Sequence, residues 1–160
     1  MAGRQIDVDV FKVQFIEALD AALVLTSFFN PSTISVATSI IRNLLEITLA
    51  DLTGLKTLCM VNTVESGVGS FERVGNKFEY RNDYYTLLLT CRVGDYFVKA
   101  RGHLKAAFTH DIAGGYSYYD RIELESLEDL VVEKWSREHW KQLSRSPEDR
   151  RKRRLKAVEL

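Results

Sequence analysis

The residues most suited to acid–base chemistry are His110 and Asp111, which are adjacent and are followed by the flexible pair Gly114-Gly115. An imidazole and a carboxylate on a loop can together serve general acid–base catalysis. Adjacent residues rarely supply both members of a productive pair, and no third group that would orient the histidine is identifiable. We therefore expect an ordinary solvated loop, and an enzyme with its site at this loop is the third of three functional hypotheses.

Sequence signatures of nucleotide-binding, hydrolytic and metal-dependent enzymes are missing from the chain. Gly67 and Gly69 precede a strand pattern, whereas a phosphate-binding glycine loop opens onto a helix. Three histidines and two cysteines lack the spacing of a zinc site. We expect a non-enzymatic protein without a metal or a cofactor.

A basic stripe follows one predicted strand and consists of Lys99, Arg101, His103 and Lys105. Strand side chains alternate between two faces, so these four share one face of a sheet. Arg92, Tyr84 and Phe97 are expected on the same face. Cations beside aromatic rings suit a single-stranded nucleic acid. Glu72 and Glu79 dilute the charge, so we favour an ordinary solvated face and keep nucleic-acid binding as the second hypothesis.

The densest charge cluster lies near the C-terminus and consists of Arg150, Arg151, Lys152, Arg153 and Arg154, with Lys156. Residues 145–160 carry seven Lys/Arg against three Asp/Glu, a local charge of +4 in a chain of zero formal net charge. Such a cluster binds phosphates or an acidic protein surface, or it is the solvated face of a last helix. We expect an acidic partner, either protein or nucleic acid.

Length and composition predict one α+β domain over residues 1–145 and a basic C-terminal tail over residues 146–160. The chain has 160 residues, of which 46% are hydrophobic and 28% charged, values that are usual for a globular protein. It lacks a signal-like or membrane-spanning apolar run, and Cys59 and Cys91 are predicted to be buried, reduced thiols. We expect a cytoplasmic protein.

The hydrophobic period predicts two N-terminal helices that position these residues. Apolar side chains at three- and four-residue spacing indicate a first helix from about Val8 to Phe29, capped by Asp7 or Asp9. Asn30-Pro31 is predicted to end this helix and to begin the next one as its N-cap and first residue. The second helix is predicted to end with Gly54 in the C′ position.

The second helix is apolar over roughly 220° of its circumference, although a surface helix needs an apolar stripe only somewhat over ~100° wide. It is therefore expected to pack on two sides, against the sheet and against either the first helix or a second subunit. Within this arc, Ile40, Leu44 and Ile47 are the predicted interface residues. Trp140 is a further candidate anchor.

From Leu55 onward the apolar period changes from 3.6 residues to two, which indicates strands. Leu55–Val64 is apolar on both faces and is predicted to be a central strand. The strands predicted after it are Phe71–Val74, Lys77–Arg81, Tyr84–Val93, Tyr96–Phe108 and Tyr116–Leu124. The pairs Gly75-Asn76, Asn82-Asp83 and Gly94-Asp95 are predicted two-residue turns.

The turn at Gly94-Asp95 predicts a strand register. It places Cys91 opposite Val98 and Leu87 opposite Gly102, which gathers apolar side chains on one face and the basic stripe on the other. The turn at Asn82-Asp83 would add Phe78 beside Leu87 on the apolar face.

Ser126 with Asp129 three residues later is a capping-box-like start. It predicts a third helix from Ser126 to about Leu143, with Trp135 in the core and Trp140 pointing elsewhere. A second start at Ser146-Pro147 predicts a terminal basic helix from Arg150. The fold class is therefore α+β, with two N-terminal helices, a mostly antiparallel five-stranded meander, a C-terminal helix and a short basic terminal helix.

The leading functional hypothesis is a structural subunit that oligomerises or docks in a larger complex, for which a viral or phage particle is one setting. Its basic tail would contact an acidic partner. This hypothesis depends on the wide apolar arc of the second helix, the tail cluster and the missing catalytic motifs. The alternative is a nucleic-acid-binding module that uses the basic stripe and the basic tail.

Overall fold

The computed structural model describes residues 7–143, so the basic tail and the predicted terminal helix lie outside the described residues. The elements are α1 (Val8–Phe28), α2 (Ile34–Thr53), β1 (Thr57–Val68), β2 (Glu72–Val74), β3 (Phe78–Val93), β4 (Tyr96–Asp111), β5 (Tyr116–Lys134) and a 3-10 helix (Arg137–Leu143). The α+β class and the antiparallel five-stranded sheet are confirmed.

Most helix boundaries match the prediction. The Asp7 carboxylate accepts hydrogen bonds from the backbone amides of Asp9 and Val10 at 3.0 and 3.3 Å, and it therefore caps α1. Gly54 ends α2 with φ of 70°, a left-handed conformation that favours glycine. The predicted start of α2 is wrong, because the N-cap is Thr33 and not Asn30.

Asn30 and Pro31 instead connect the helices to the edge of the sheet. The backbone N–H of Tyr119 in β5 donates to the Pro31 carbonyl at 2.9 Å. The side-chain amide of Asn30 donates to the Tyr119 carbonyl at 3.4 Å. Asn30 has φ of 44°, which asparagine tolerates better than most residues. The linker thus satisfies peptide groups that an edge strand would otherwise leave unpaired.

The two helices lie antiparallel on one face of the sheet, which we call the inner face. The Thr48 hydroxyl donates to the Ala18 carbonyl, and the Gln14 side chain donates to the Leu52 carbonyl, both at 3.2 Å. α1 packs mainly on β5 and α2 on β1. The largest side chains of the resulting core include Phe11, Phe15, Leu19, Ile41, Leu45, Leu49, Leu87, Leu89 and Leu104. Within residues 7–143, neither helix is long and apolar enough to cross a membrane.

The strand order is β1-β3-β4-β5, and the short strand β2 lies off this path and pairs with Phe78–Tyr80 at the start of β3. β1 is therefore an edge strand, and the prediction of a central strand is wrong. Its inner face packs under α2, while Met60 on the opposite, outer face is only 2% exposed. Burial on both faces gives an edge strand the continuous apolar pattern that is typical of a central one.

The predicted β3–β4 register is confirmed. Cys91 lies opposite Val98 and Leu87 opposite Gly102, and the apolar face is the inner one. The predicted turn at Asn82-Asp83 is wrong, because β3 continues through both residues and Asp83 is fully buried.

The predicted third helix is also wrong, because β5 continues through Ser126 to Lys134. The register of β5 against β4 shifts at three places, and Asp129 at one of them has φ of 54°. Each bulge inserts one residue, which changes the spacing of inward side chains from two to three. Leu124, Leu127 and Leu130 pack against the core, and their spacing of three resembles a helical period.

Cys59 and Cys91 form a disulfide, contrary to the prediction of reduced thiols. They are partners in the β1–β3 ladder, and their Cα atoms are 4.1 Å apart, close to the spacing of a non-hydrogen-bonded antiparallel pair. The prediction failed because the sequence did not show that β1 pairs with β3 on the side opposite to β4, which places Cys59 beside Cys91. A reducing compartment therefore has no support from these cysteines.

Candidate functional site

His110 and Asp111 were expected on a loop, but they are the last two residues of β4 and pair with Ser117 and Tyr116 of β5. The Asp111 carboxylate accepts a hydrogen bond from the Gly114 amide at 2.8 Å, which lowers the pKa of that carboxyl from its ordinary value. The hydrogen bond with Asp111 in turn raises the pKa of Tyr116. The His110 ring nitrogen Nδ1 lies 2.7 Å from the Ser117 hydroxyl. Both side chains thus serve the turn and its strand, and the geometry offers no acid–base dyad.

The basic stripe lies on the outer face of β4, as predicted. Arg101 is exposed, Lys99, His103 and Lys105 are half-buried, and Arg92 and Phe97 are neighbours in the register. The stripe does not stand alone, because β5 runs beside it where a helix was expected.

Carboxylates of β5 accompany the basic stripe. Glu123 pairs with Lys105 in the ladder, and Glu128 pairs with Arg101. Glu128 also lies 3.1 Å from the His103 Nε2 atom. Opposite charges on neighbouring strands stabilise a sheet, but they also reduce the positive field that a phosphate backbone would require.

An aromatic cluster closes one end of the outer face. The rings of Phe97 and His139 stack with centroids 4.0 Å apart. The Ser136 amide donates to His139 Nδ1 at 3.0 Å, so the ring proton is assigned to Nε2, which lies 3.2 Å from a Glu133 carboxylate oxygen. This cluster fixes the 3-10 helix on the sheet.

Trp135 and Trp140 belong to the same cluster, with ring centroids 5.0 Å apart. The Arg92 guanidinium lies over both rings, 4.5 Å and 5.5 Å from their centroids. The prediction that the two tryptophans point apart is therefore wrong, because the helix that it assumed is absent. Trp140 is 40% exposed and lies on the opposite side of the sheet from Ile40, Leu44 and Ile47.

A buried polar network on the inner face escaped the sequence-based prediction. The fully buried Asp83 carboxylate accepts hydrogen bonds from Arg81 Nε at 2.7 Å and Nη2 at 3.3 Å. It also accepts from the hydroxyls of Tyr85 and Tyr119, both at 3.3 Å. The guanidinium of Arg81 lies over the ring of Phe108 at 4.3 Å.

Burial raises the pKa of Tyr119 far above its ordinary value, and the hydrogen bond with Tyr85 raises it further. Burial also raises the pKa of Tyr85. Both phenols remain neutral at physiological pH, and their hydroxyl oxygens lie 2.5 Å from each other beside the Asp83 carboxylate. Neither cleft described below is lined by these residues, so the network acts as an internal support. The sequence could have indicated this network. If the side-chain alternation of β3 is continued from Tyr85 toward the start of the strand, Asp83 and Arg81 fall on the apolar face.

An exposed apolar surface covers the solvent side of the helices; we call it the helical strip. Phe28 is 78% exposed and Ile47 64% exposed. Ile40 and Leu44, both predicted interface residues, are half-buried beside Ile47 on α2. The strip comprises Val24, Leu25, Phe28, Val36, Ile40, Leu44 and Ile47.

Two open clefts adjoin the edge of β5 that α1 and the linker partly cover. One lies between α1 and β5 and has a volume of about 470 Å3. The other, of about 570 Å3, is lined by Asn30, Tyr116, Ser117, Tyr118 and Asp120. The clefts share Asp120.

Arg150, Arg151, Lys152, Arg153, Arg154 and Lys156 all lie outside the described residues. Within residues 7–143, no group of three or more His, Cys, Asp or Glu side chains is placed to hold a metal ion. Comparison with known proteins yields no matching family model, no matching curated protein and no matching solved structure.

Proposed function

We propose that this chain is a non-enzymatic assembly subunit that self-associates through the helical strip. The observation that carries the proposal is the exposure of large apolar side chains on both helices, led by Phe28 and Ile47. The acidic contact of the basic tail is part of the same proposal.

The two halves of the strip form one surface. The contacts of Ala18 with Thr48 and of Gln14 with Leu52 set the antiparallel alignment of the helices. With that alignment, Leu25 and Phe28 near the end of α1 lie across from the first half of α2. The strip therefore runs across both helices as a continuous apolar surface.

The strip exposes one aromatic side chain among several aliphatic ones. Phe28, which is 78% exposed, offers most of the roughly 150–250 Å2 of an aromatic side chain, and Val24, Leu25, Val36 and Ile47 are each between 42% and 64% exposed. The largest apolar patch of a monomeric protein is about 300–600 Å2 and is often functional, and a stable interface buries about 800 Å2 per partner, so the strip would form the apolar centre of an interface with a polar rim. A second copy that places its own strip against this one would bury most of this surface in a two-fold arrangement.

The nucleic-acid alternative loses support from the outer face. Its basic stripe lies beside Glu123 and Glu128 of β5, and a backbone of phosphates would be repelled by these carboxylates. Self-association through the helical strip does not require contact with these carboxylates, so assembly is the leading proposal.

Sedimentation velocity on the full chain tests the proposal. The wild-type protein is expected at twice the chain mass of 18.3 kDa or above, and Ile47→Asp is expected at the chain mass, because a buried unpaired carboxylate would oppose the interface. Val131→Asp is the matched control, since Val131 is 40% exposed on the outer face and lies opposite Lys99. A wild-type protein that sediments as a monomer at about 100 μM, or an equal effect of both variants, would refute the proposal.

A further inference from the structure

Two aromatic pairs stand on the outer face near the turn that joins β4 and β5. The rings of Phe78 and Tyr80 on β3 stack with their centroids 6.1 Å apart. The rings of Tyr116 and Tyr118 on β5 stack with their centroids 5.9 Å apart. The members of each pair are two residues apart in a strand, so their side chains project from the same face of the sheet.

β4 runs between the two pairs and forms the floor of a trough. Each floor residue has an aromatic register partner on either side, Thr109 with Tyr80 and Tyr118, and Asp111 with Phe78 and Tyr116. The aromatic walls are therefore two strand spacings apart, or about 10 Å. Thr109 is only 2% exposed, whereas Asp111 is half-buried. We call these six residues the aromatic trough.

Carboxylates make the aromatic trough negative. Asp111 lies on its floor, and the Asp120 carboxylate accepts a hydrogen bond from the Thr109 hydroxyl. In the part of the chain that the structure describes, no lysine, arginine or histidine nitrogen lies within 4.0 Å of either carboxylate. Desolvation raises the pKa of Tyr118, and the nearby Asp120, Tyr80 and Asp111 raise it further. A cation would therefore complement this surface.

The turn after β4 holds one wall of the trough in place. The Asp111 carboxylate accepts a hydrogen bond from the Gly114 amide at 2.8 Å. A Cβ atom at Gly114 would clash with the ring of Tyr116, so only glycine allows this ring its position beside Asp111. The carboxylate and the ring are thus positioned before a ligand arrives, which reduces the entropy cost of binding.

The site of Arg81 in the same sheet shows which group suits such a surface. Its guanidinium lies over the rings of Phe71 and Phe108, 4.6 and 4.3 Å from their centroids. It also donates a hydrogen bond to the Asp83 carboxylate at 2.7 Å. The described residues give the aromatic trough the same kinds of partner, aromatic rings and carboxylates, but no guanidinium.

We propose that the aromatic trough binds an arginine side chain of a separate protein. A guanidinium is flat, so it stacks on tyrosine rings while its N–H groups donate to a carboxylate. A phosphate group would be repelled by Asp111 and Asp120, which excludes nucleic acid as the ligand of this surface. The aromatic trough lies on the opposite side of the sheet from the helical strip, so this inference does not depend on self-association.

Chemical-shift titration of the 15N-labelled full-length protein with a capped Gly-Arg-Gly peptide tests the proposal. Saturating shifts are expected at the amides of the trough residues on β4 and β5, with a Kd on the order of a few millimolar for one stacked, charge-assisted contact. The same peptide with citrulline in place of arginine keeps the flat side chain but loses the charge, and it should bind at least about fivefold more weakly. Equal binding of the two peptides, or no shift at these amides, would overturn the proposal.

Variants test whether the peptide binds at the trough. Tyr116→Leu removes an exposed ring, and Asp111→Asn removes the charge but keeps an acceptor for the Gly114 amide. Each should weaken binding of the arginine peptide by about fivefold. Tyr84→Leu is the matched control, because Tyr84 is 43% exposed on the same face of β3 but lies opposite Lys105, and it should leave the Kd unchanged. The same Kd in all three variants would refute binding at this site.

A further full-length variant distinguishes a separate protein from the basic tail as the source of the arginine. It replaces the six basic residues of the tail with glutamine, namely Arg150, Arg151, Lys152, Arg153, Arg154 and Lys156. A Kd equal to that of the wild-type protein supports a separate source. Binding of the peptide only after this change would assign the trough to the tail and overturn the proposal.

The titration of Ile47→Asp separates this inference from the proposed assembly. Ile47 belongs to the helical strip and is far from the outer face, so this variant should bind the arginine peptide with the Kd of the wild-type protein. A wild-type protein that sediments as a monomer would refute the assembly proposal, whereas only the titrations decide the inference about the trough. A loss of peptide binding in Ile47→Asp would contradict the placement of the ligand on the outer face.

Discussion

Removing the carboxylate of Asp83 should strongly destabilise the fold. Asp83 is fully buried, and the side chain of its partner Arg81 is 21% exposed. Asp83→Ala would leave this guanidinium without its carboxylate and two buried phenols, Tyr85 and Tyr119, without their acceptor. Breaking a buried ion pair by removing one partner costs about 3–5 kcal/mol.

The environment of Arg81 places the expected loss near the lower end of that range. Its guanidinium keeps its contacts with the rings of Phe71 and Phe108, at 4.6 and 4.3 Å from their centroids, and its partial exposure admits water. We expect Asp83→Ala to lower the free energy of unfolding by about 3 kcal/mol, a large part of the roughly 5–15 kcal/mol that is typical of a domain.

Urea unfolding followed by far-ultraviolet circular dichroism measures this loss. Glu79→Ala is the matched control, because Glu79 lies on β3 like Asp83 and its ion pair with the exposed Arg73 of β2 should be worth less than about 1 kcal/mol. The double variant Arg81→Met/Asp83→Leu should lose less than Asp83→Ala alone, since no unpaired charge remains. A loss below about 1 kcal/mol for Asp83→Ala, or a double variant as unstable as the sum of the single variants, would refute this reasoning.

Two further predictions concern the tyrosines and the disulfide. Because the folded-state pKa of Tyr119 is raised above its ordinary value of 10.0, the stability that it contributes should be complete below pH 10 and lost as the pH rises toward the folded-state pKa. Urea titrations should show a decline above pH 10 that is smaller in Tyr119→Phe, and an identical decline in both proteins would contradict this assignment. Reducing the Cys59–Cys91 disulfide, which spans 32 residues, should cost about 3–4 kcal/mol of stability. Unfolding curves with and without dithiothreitol measure this cost, and Cys59→Ala/Cys91→Ala should not respond to the reductant; an equally unresponsive wild-type protein would show that the bond is absent.

Elements whose signals lie within one helix or one hairpin were predictable from the sequence. Asp7 caps α1 through amides two and three residues away, and Gly54 ends α2 through its own backbone conformation. The β3–β4 register followed from the turn at Gly94-Asp95, because one tight turn between alternating strands determines every later pair. The basic stripe was placed on the correct face for the same reason.

The tertiary structure decided the features whose partners are distant in sequence. Asn82-Asp83 has the composition of a turn, but Arg81 and the hydroxyl of Tyr119 make Asp83 a buried residue within β3. The segment from Ser126 onward has helical spacing, but bulges against β4 and packing on the core make it a strand, so nonlocal pairing overrides local propensity.

The surfaces available for function depended on the same nonlocal contacts. The sequence determined that α2 is apolar on more than one side, but only the packing of the helices decided that Ile47 stays exposed while Leu45 and Leu49 are buried. The sequence also determined the basic residues of β4, but only the pairing of β5 with β4 placed Glu123 beside them, and only the extension of β5 past Leu124 placed Glu128 there. A side chain's type follows from the sequence, whereas its exposure and its charged neighbours depend on which distant segments fold against it.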